Sequence, residues 1–299
     1  SHGEGAALSE AQRNDLIHHF RMARAELDAS QPDFVLLWGD DQYENYREDC
    51  VPPFSILAYD SVEVQPWKGH RGENWWDEPK DKTFTVTGHR AGAKHLATAL
   101  LNDGVDIAYA YKPLHHALGH AFMNSIMYLD MDRKGFPYPV VPFTVNAYGR
   151  WLVGAHGAPM TPSQAAKLAE HTELDPPGPQ PWRGFQVGGA IARALRASPD
   201  RVAVIASSSW SHSFLVAKNS LMFPDVESDK RYYAALRDGD WATWRNTTIV
   251  EAEDRGHHEL LNWFCLAGAM AELERKPDES VFLESWISNS DKVFAVFRP

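Results

Sequence analysis

A run of five apolar residues, Phe34-Val-Leu-Leu-Trp38, empties into Gly39 and then into Asp40-Asp41-Gln42. A segment apolar at every position suits a strand buried on both faces at the centre of a sheet. The stretch before it, Ser9–Ser30, carries Leu16, Ile17, Phe20, Ala23 and Leu27 at helical spacing,. Ser9 and Gln12 have the spacing of a capping box, and Pro32 stops the helix,. A helix feeding a buried strand is a step of a layered α/β sheet. In open sheets of this kind, chemistry collects beyond the carboxyl ends of the strands. Two adjacent carboxylates there are costly unless a metal, a proton or hydrogen bonds compensate them. The plainer reading is an acidic turn.

The remaining chain continues the alternation. Strands are expected at 54–59, 84–87, 105–110, 142–146, 201–206, 281–286 and 292–297,. Helices are expected at 89–102, from about 120 through Met127, and at 163–171, 184–197, 231–236, 241–245 and 257–270,. Gly104 closes the first of these. The segment Gln65–Lys82 reads as a loop, and its Trp67, Trp75 and Trp76 suit a lid, an interface or a loop pinned by its aromatics,. Asp175-Pro-Pro-Gly-Pro-Gln-Pro181 reads as an exposed connector,. With no internal repeat, the spacing favours a single catalytic α/β domain over residues 1–299,.

Composition narrows the function classes. A net charge of −11 disfavours nucleic acid and anionic membrane as partners,. Cys50 and Cys265 are too few for a disulfide framework, and a reducing cytoplasm fits,. No apolar run reaches the length of a membrane span, and no signal peptide is visible. The aromatic surface residues are compatible with a homodimer.

Polar residues close four elements: Asp40-Asp41-Gln42, His115-His116, His212 and His257-His258-Glu259. Such groups at buried ends need partners and can supply one another. His212 follows a strand and a run of serines, where an imidazole can serve as a general base. A serine hydrolase using Ser207, Ser208, Ser209 or Ser211 competes, but the G-x-S-x-G elbow is absent,. His116 and His120 lie four apart and suit zinc ligands on one helix face, without the H-E-x-x-H pattern,. Glu259, opening an apolar helix, is either a favourable first-turn carboxylate or a metal ligand.

Taken together, Pro32–Gln42, Lys112-Pro-Leu-His-His116, Ala206-Ser-Ser-Ser-Trp-Ser-His212 and Glu259-Leu-Leu-Asn-Trp263 resemble the class III extradiol ring-cleavage dioxygenases. This is the LigB-type family, which includes protocatechuate 4,5-dioxygenase and gallate dioxygenase. The motifs fall in the family's order from about Pro32 to Met270. The resemblance implies a central mixed sheet flanked by helices. It also implies Fe(II) held by two histidines and a glutamate, with a catechol-type diol and O2 as substrates. It places Glu259 on the metal and His212 as the acid/base histidine. His116, with its neighbour His115, falls at a second catalytic histidine position. Gln42 falls where an iron histidine belongs, with Asp41, Asp40, His257 or His258 as substitutes. A further strand ending in the other iron histidine is expected upstream of Ser1, since His2 sits in a polar stretch unlike it.

The leading expectation is therefore a non-haem Fe(II)-dependent extradiol dioxygenase of aromatic catabolism. The alternatives are a metal-free binding or regulatory protein on the same scaffold, and a zinc-dependent hydrolase in the same pocket. Lys112 and Arg150 are candidate substrate anchors, equally readable as ordinary surface charges.

Overall fold

The computed structural model describes residues 5–69, 72–158, 163, 167, 170, 174–286 and 288–299. The expected helix at 163–171 lies largely outside the described residues, as does His2. The chain opens with α1 (Ala6–Ser30), then β1 (Phe34–Asp40), β2 (Phe54–Leu57), β3 (Ser61–Val64) and β4 (Phe84–Thr87). It continues through α2 (Arg90–Asn102), β5 (Ala108–Ala110), α3 (His120–Leu129) and β6 (Val140–Val145). Then follow α4 (Pro181–Arg196), β7 (Val202–Ala206), α5 (Val226–Asp238), α6 (Trp241–Arg245) and α7 (Ile249–Asp254). The last elements are α8 (Leu261–Glu272), β8 (Glu279–Leu283) and β9 (Lys292–Val296). No helix among the described residues is long and apolar enough to cross a membrane.

Five strands form the central sheet in the order β5-β2-β6-β1-β7. β1 runs parallel to both β6 and β7, and β2 runs antiparallel to β6, so the sheet is mixed. Two small hairpins, β3–β4 and β8–β9, stand outside it. β1 is buried along its whole length, as its apolar run requires,. The two-residue period splits it between two cores. Phe34, Leu36 and Trp38 join the layer containing α2, α4 and α8, while Val35 and Leu37 join that of α3. Each such side chain contributes about 1.5–3 kcal/mol through burial.

α4 and α8 cross closely because both present glycine. A Cβ on Gly188 would lie 1.8 Å from the Cys265 carbonyl oxygen, and one on Gly268 would lie 1.9 Å from that of Phe185. Only hydrogen at these two positions lets the backbones meet. Pro181 stands in the first turn of α4, where its missing N–H costs nothing,.

Several boundaries differ from expectation, with identifiable causes. α1 starts at Ala6 after Gly5, so Ser9 lies inside the helix and caps nothing. Gln12 instead donates to the Glu284 carbonyl. α8 starts at Leu261, so Glu259 sits in the turn before it. The connector at 175–181 is partly packed: Asp175 accepts from the Val153 and Gly154 amides, and Gly178 is buried against the Asn146 carbonyl. The tryptophan loop is a pinned loop. Trp76 donates to the Met131 carbonyl at 2.8 Å and lies under the Arg133 guanidinium, while Trp75 is exposed. β3 and α7 are short elements that periodicity did not announce.

Candidate metal and acid–base site

Beyond the carboxyl ends of the parallel strands β1, β6 and β7, polar side chains from five segments converge. Asp40 ends β1, Tyr148 follows β6, His212 follows β7, His120 opens α3, and Glu259 precedes α8. Ligand atoms of Asp40, His120 and Glu259 lie within 4.8 Å of one another. Asp40 and Glu259 are buried and His120 is half-buried.

Each member is held from outside the cluster. Glu259 Oε1 accepts from the Tyr148 hydroxyl at 2.7 Å and lies 3.0 Å from His212 Nε2. Its Oε2 accepts from the Ser209 amide at 3.0 Å. Burial alone would raise the Glu259 pKa, but the adjacent His212 and these hydrogen bonds outweigh it and hold the carboxyl at about 2,. Asp40 Oδ1 accepts from Asn262 Nδ2 at 3.3 Å, and its Oδ2 is buried with no partner among the described residues. Burial, with the nearby Glu259 charge, pushes Asp40 up to about 8,.

His120 is oriented by Glu44, which pairs with its Nδ1 at 2.8 Å and accepts from its backbone amide. Burial disfavours the imidazolium, but Glu44 and the cluster carboxylates prevail and raise its pKa to about 10. The loop that presents Glu44 is built by Asp41. That carboxylate accepts from the amides of Glu44, Asn45 and Tyr46. Asn45 in turn donates to the His116 carbonyl at 2.6 Å and accepts from the Gly119 amide at 2.8 Å, fixing the approach to α3.

The donor set fits a divalent cation. A buried, unpartnered carboxylate oxygen is expensive unless something positive sits against it. Two carboxylates and an imidazole provide borderline-hard oxygen and nitrogen donors, suited to a first-row transition metal. Binding would displace the proton from His120 and from Asp40.

The expected site residues divide. His212 and Glu259 meet in the cluster. Asp41 and Gln42 do not: Asp41 spends its carboxylate on loop amides, and the Gln42 amide donates to the Gly157 carbonyl. Asp40, only a substitute in the sequence reading, takes the place beside Glu259. His115 pairs with Asp49 at 2.7 Å in an exposed position. His116 is half-buried with an Nδ1 unpartnered among the described residues, and it stands before α3, so it shares no helix face with His120. His257 and His258 are buried, and burial lowers them to about 3 and about 4. The Ser211 hydroxyl donates to Asp229 at 2.6 Å rather than to a histidine, so Ser211 is not placed as a nucleophile,. Arg150 lies 3.6 Å from Glu253, and Lys112 is exposed. Glu44 and Tyr148 were missed: Glu44 lies four residues past Asp40 in the same polar stretch without a role of its own, and Tyr148 stands in no motif.

A cavity of about 550 Å³ opens elsewhere, between α2, α4 and α8. Its Arg193 is already paired with Asp103 and Glu272.

Residues 160–295 match the family described as the catalytic LigB subunit of aromatic ring-opening dioxygenase. A 2,3-dihydroxyphenylpropionate/2,3-dihydroxicinnamic acid 1,2-dioxygenase of Pseudomonas putida is 26% identical over 194 residues, 64% of this chain and 47% of that protein. A namesake from Paraburkholderia xenovorans is 28% identical over 64% of this chain and 46% of its own length. Another from Photorhabdus laumondii is 20% identical over 86% of this chain and 71% of its own. The chain thus spans about half the length of the first two relatives. Its sequence is similar to those of LigB-type aromatic ring-opening dioxygenases.

Proposed function

We propose that the chain is an extradiol dioxygenase that opens the ring of a catechol-type diol with O2 and uses non-haem Fe(II). The observation that carries this reading is the buried Asp40–His120–Glu259 cluster with His212 in hydrogen-bond reach of Glu259, in a LigB-related chain. Asp40, His120 and Glu259 would hold the metal. Bound Fe(II) would supply open positions for diol and O2 and a path for electrons between them.

The protein's own residues do the rest. His212 takes a proton from the substrate hydroxyl, with Glu259 beside it to stabilise the imidazolium,. Phe214 stacks on the His212 ring with centroids 4.4 Å apart and limits its rotation. Glu44 holds Nδ1 of His120, leaving Nε2 for the cluster,. Tyr148 and the Ser209 amide fix both oxygens of Glu259. Both atoms of O2 end in the ring-opened product, so no further reductant is needed.

A second reading, a metal-free binding protein, draws on Gln42, whose amide is committed to Gly157. Reconstitution with Fe(II) under anaerobic conditions, followed by metal analysis and O2 uptake with catechol-type diols, separates the two. We expect one iron per chain and one O2 consumed per diol. Protein that retains no metal under full reconstitution would sink the dioxygenase reading. Zinc in place of iron, with esterase or amidase turnover, would favour hydrolysis.

A further inference from the structure

The His212–Glu259 contact joins two loops, and one buried carboxylate outside the cluster reaches both. Asp229 lies in the first turn of α5 and is fully buried. Its Oδ2 accepts from the Ser211 hydroxyl at 2.6 Å, and its Oδ1 accepts from the Ser211 amide at 3.2 Å. The same Oδ1 lies 2.6 Å from Nε2 of His257, which is also fully buried. Ser211 precedes His212, and His257 stands two residues before Glu259.

The rest of the arrangement makes the clamp stiff. The Ser211 hydroxyl, while donating to Asp229, accepts from the Asp225 amide at 2.8 Å, so its rotor is fixed from both sides. The His212 amide donates to the Gly256 carbonyl at 3.0 Å, adding a backbone rivet between the same two loops. Asp291, just before β9, stands beside Asp229; burial raises both carboxyls, and the Asp229 charge raises Asp291 further,. Ser211, His257 and Asp229 resemble a hydrolytic triad only in composition. The carboxylate is in the middle, both partners donate to it, and the hydroxyl has no base.

We propose that Asp229 is a positioning residue: it clamps the Ser211–His212 and His257–Glu259 segments so that His212 meets Glu259. This rests on the dioxygenase reading for its kinetic consequence, although the geometric claim stands apart from it. A buried carboxylate serving only stability would have no reason to affect turnover beyond the fraction folded. A clamp acts on kcat, because misplacing an acid–base group by a fraction of an ångström slows proton transfer while substrate still binds.

The test is Asp229→Asn, whose amide turns one accepting atom into a donor against Ser211 or His257. We expect kcat for diol cleavage to fall about 10–100-fold, with KM changed less than about threefold. In its crystal structure the His212 Nε2–Glu259 Oε1 separation, 3.0 Å here, opens beyond hydrogen-bond reach. Ile191→Val in the core of α4 supplies a control, lowering the melting temperature and leaving kcat unchanged. If Asp229→Asn melts lower but keeps its kcat, Asp229 is merely structural and the proposal is overturned. If the wild-type protein opens no diol, the dioxygenase reading fails. The crystal structure then decides the clamp alone: a His212–Glu259 pair unchanged in the variant overturns it, and an opened pair upholds it. Should Asp229→Asn not fold, Ser211→Ala removes one arm of the clamp and is read in the same two ways.

Discussion

Replacing Asp40 with asparagine should make the metal-free protein more stable. In the folded chain the Asp40 carboxyl is raised from 3.8 to about 8, first by burial and then by the charge of Glu259. An acid raised in the folded state binds its proton more tightly there than in the unfolded chain. Its contribution to stability is therefore intact below about pH 4 and is lost progressively as pH rises to about 8. At pH 7.5 the accumulated loss is on the order of 5 kcal/mol, from about 1.4 kcal/mol per pH unit. Asparagine keeps the acceptor for Asn262 and never ionises, but it retains the cost of a buried polar group. The expected net gain is about 2–3 kcal/mol, or a rise in Tm of roughly 5 °C or more. Thermal denaturation of chelator-treated wild-type and Asp40→Asn protein, followed by circular dichroism from pH 4 to 8.5, measures it. The gap should widen with pH and close near pH 4. Saturating metal should reverse the order, adding about 2.7 kcal/mol to the wild type at one hundred times Kd and little to the variant. Equal melting temperatures at every pH would refute the claim that Asp40 holds a proton in the metal-free state.

Other perturbations separate the parts of the site. His212→Phe should retain the metal and lose ring opening; unchanged turnover of a catechol removes His212 from the mechanism. Glu44→Gln takes the charge from behind His120 and should weaken metal binding about 10–100-fold in a chelator competition. Gly188→Ala gains about 1 kcal/mol of helix propensity. It nonetheless drives a Cβ to 1.8 Å from the Cys265 carbonyl, so chemical denaturation should show a net loss of at least about 2 kcal/mol,.

The central strand is legible in the sequence because burial on both faces leaves no polar position between Phe34 and Trp38. Choosing between Asp40 and Asp41 required the pleat. Phe34, Leu36, Trp38 and Asp40 share one parity, and that face packs toward α8, where Asn262 and the preceding Glu259 stand. Asp41 is off the strand and turns into its own loop. The resemblance drew attention to Gln42, which shares that parity by number but lies two residues beyond the strand end, where the pleat no longer sets direction and the amide turns to the Gly157 carbonyl. His120 was weighed only with His116, because its placement depends on Asn45 and Glu44 reaching across to the start of α3. No local pattern encodes a contact of that kind. Glu259 was legible as a residue but not as a turn, since the apolar run of α8 fades into His257-His258 without a capping signal.

The cluster is also a statement about when the chain becomes complete. Asn262 and Asp40, hydrogen-bonded across its base, are 222 positions apart, and Glu44 and His120 are 76 apart. β1 cannot take its place until β6 and β7, both far along the chain, have arrived beside it. Contacts so distant in sequence close slowly, because loop entropy is lost before burial compensates it. The three ligand groups therefore come within reach of one another only where β1 is paired with both β6 and β7 and α3 and α8 are docked on the sheet. An ion held there ties together segments from the whole length of the chain, so metal affinity reports on the long-range packing as well as on the site.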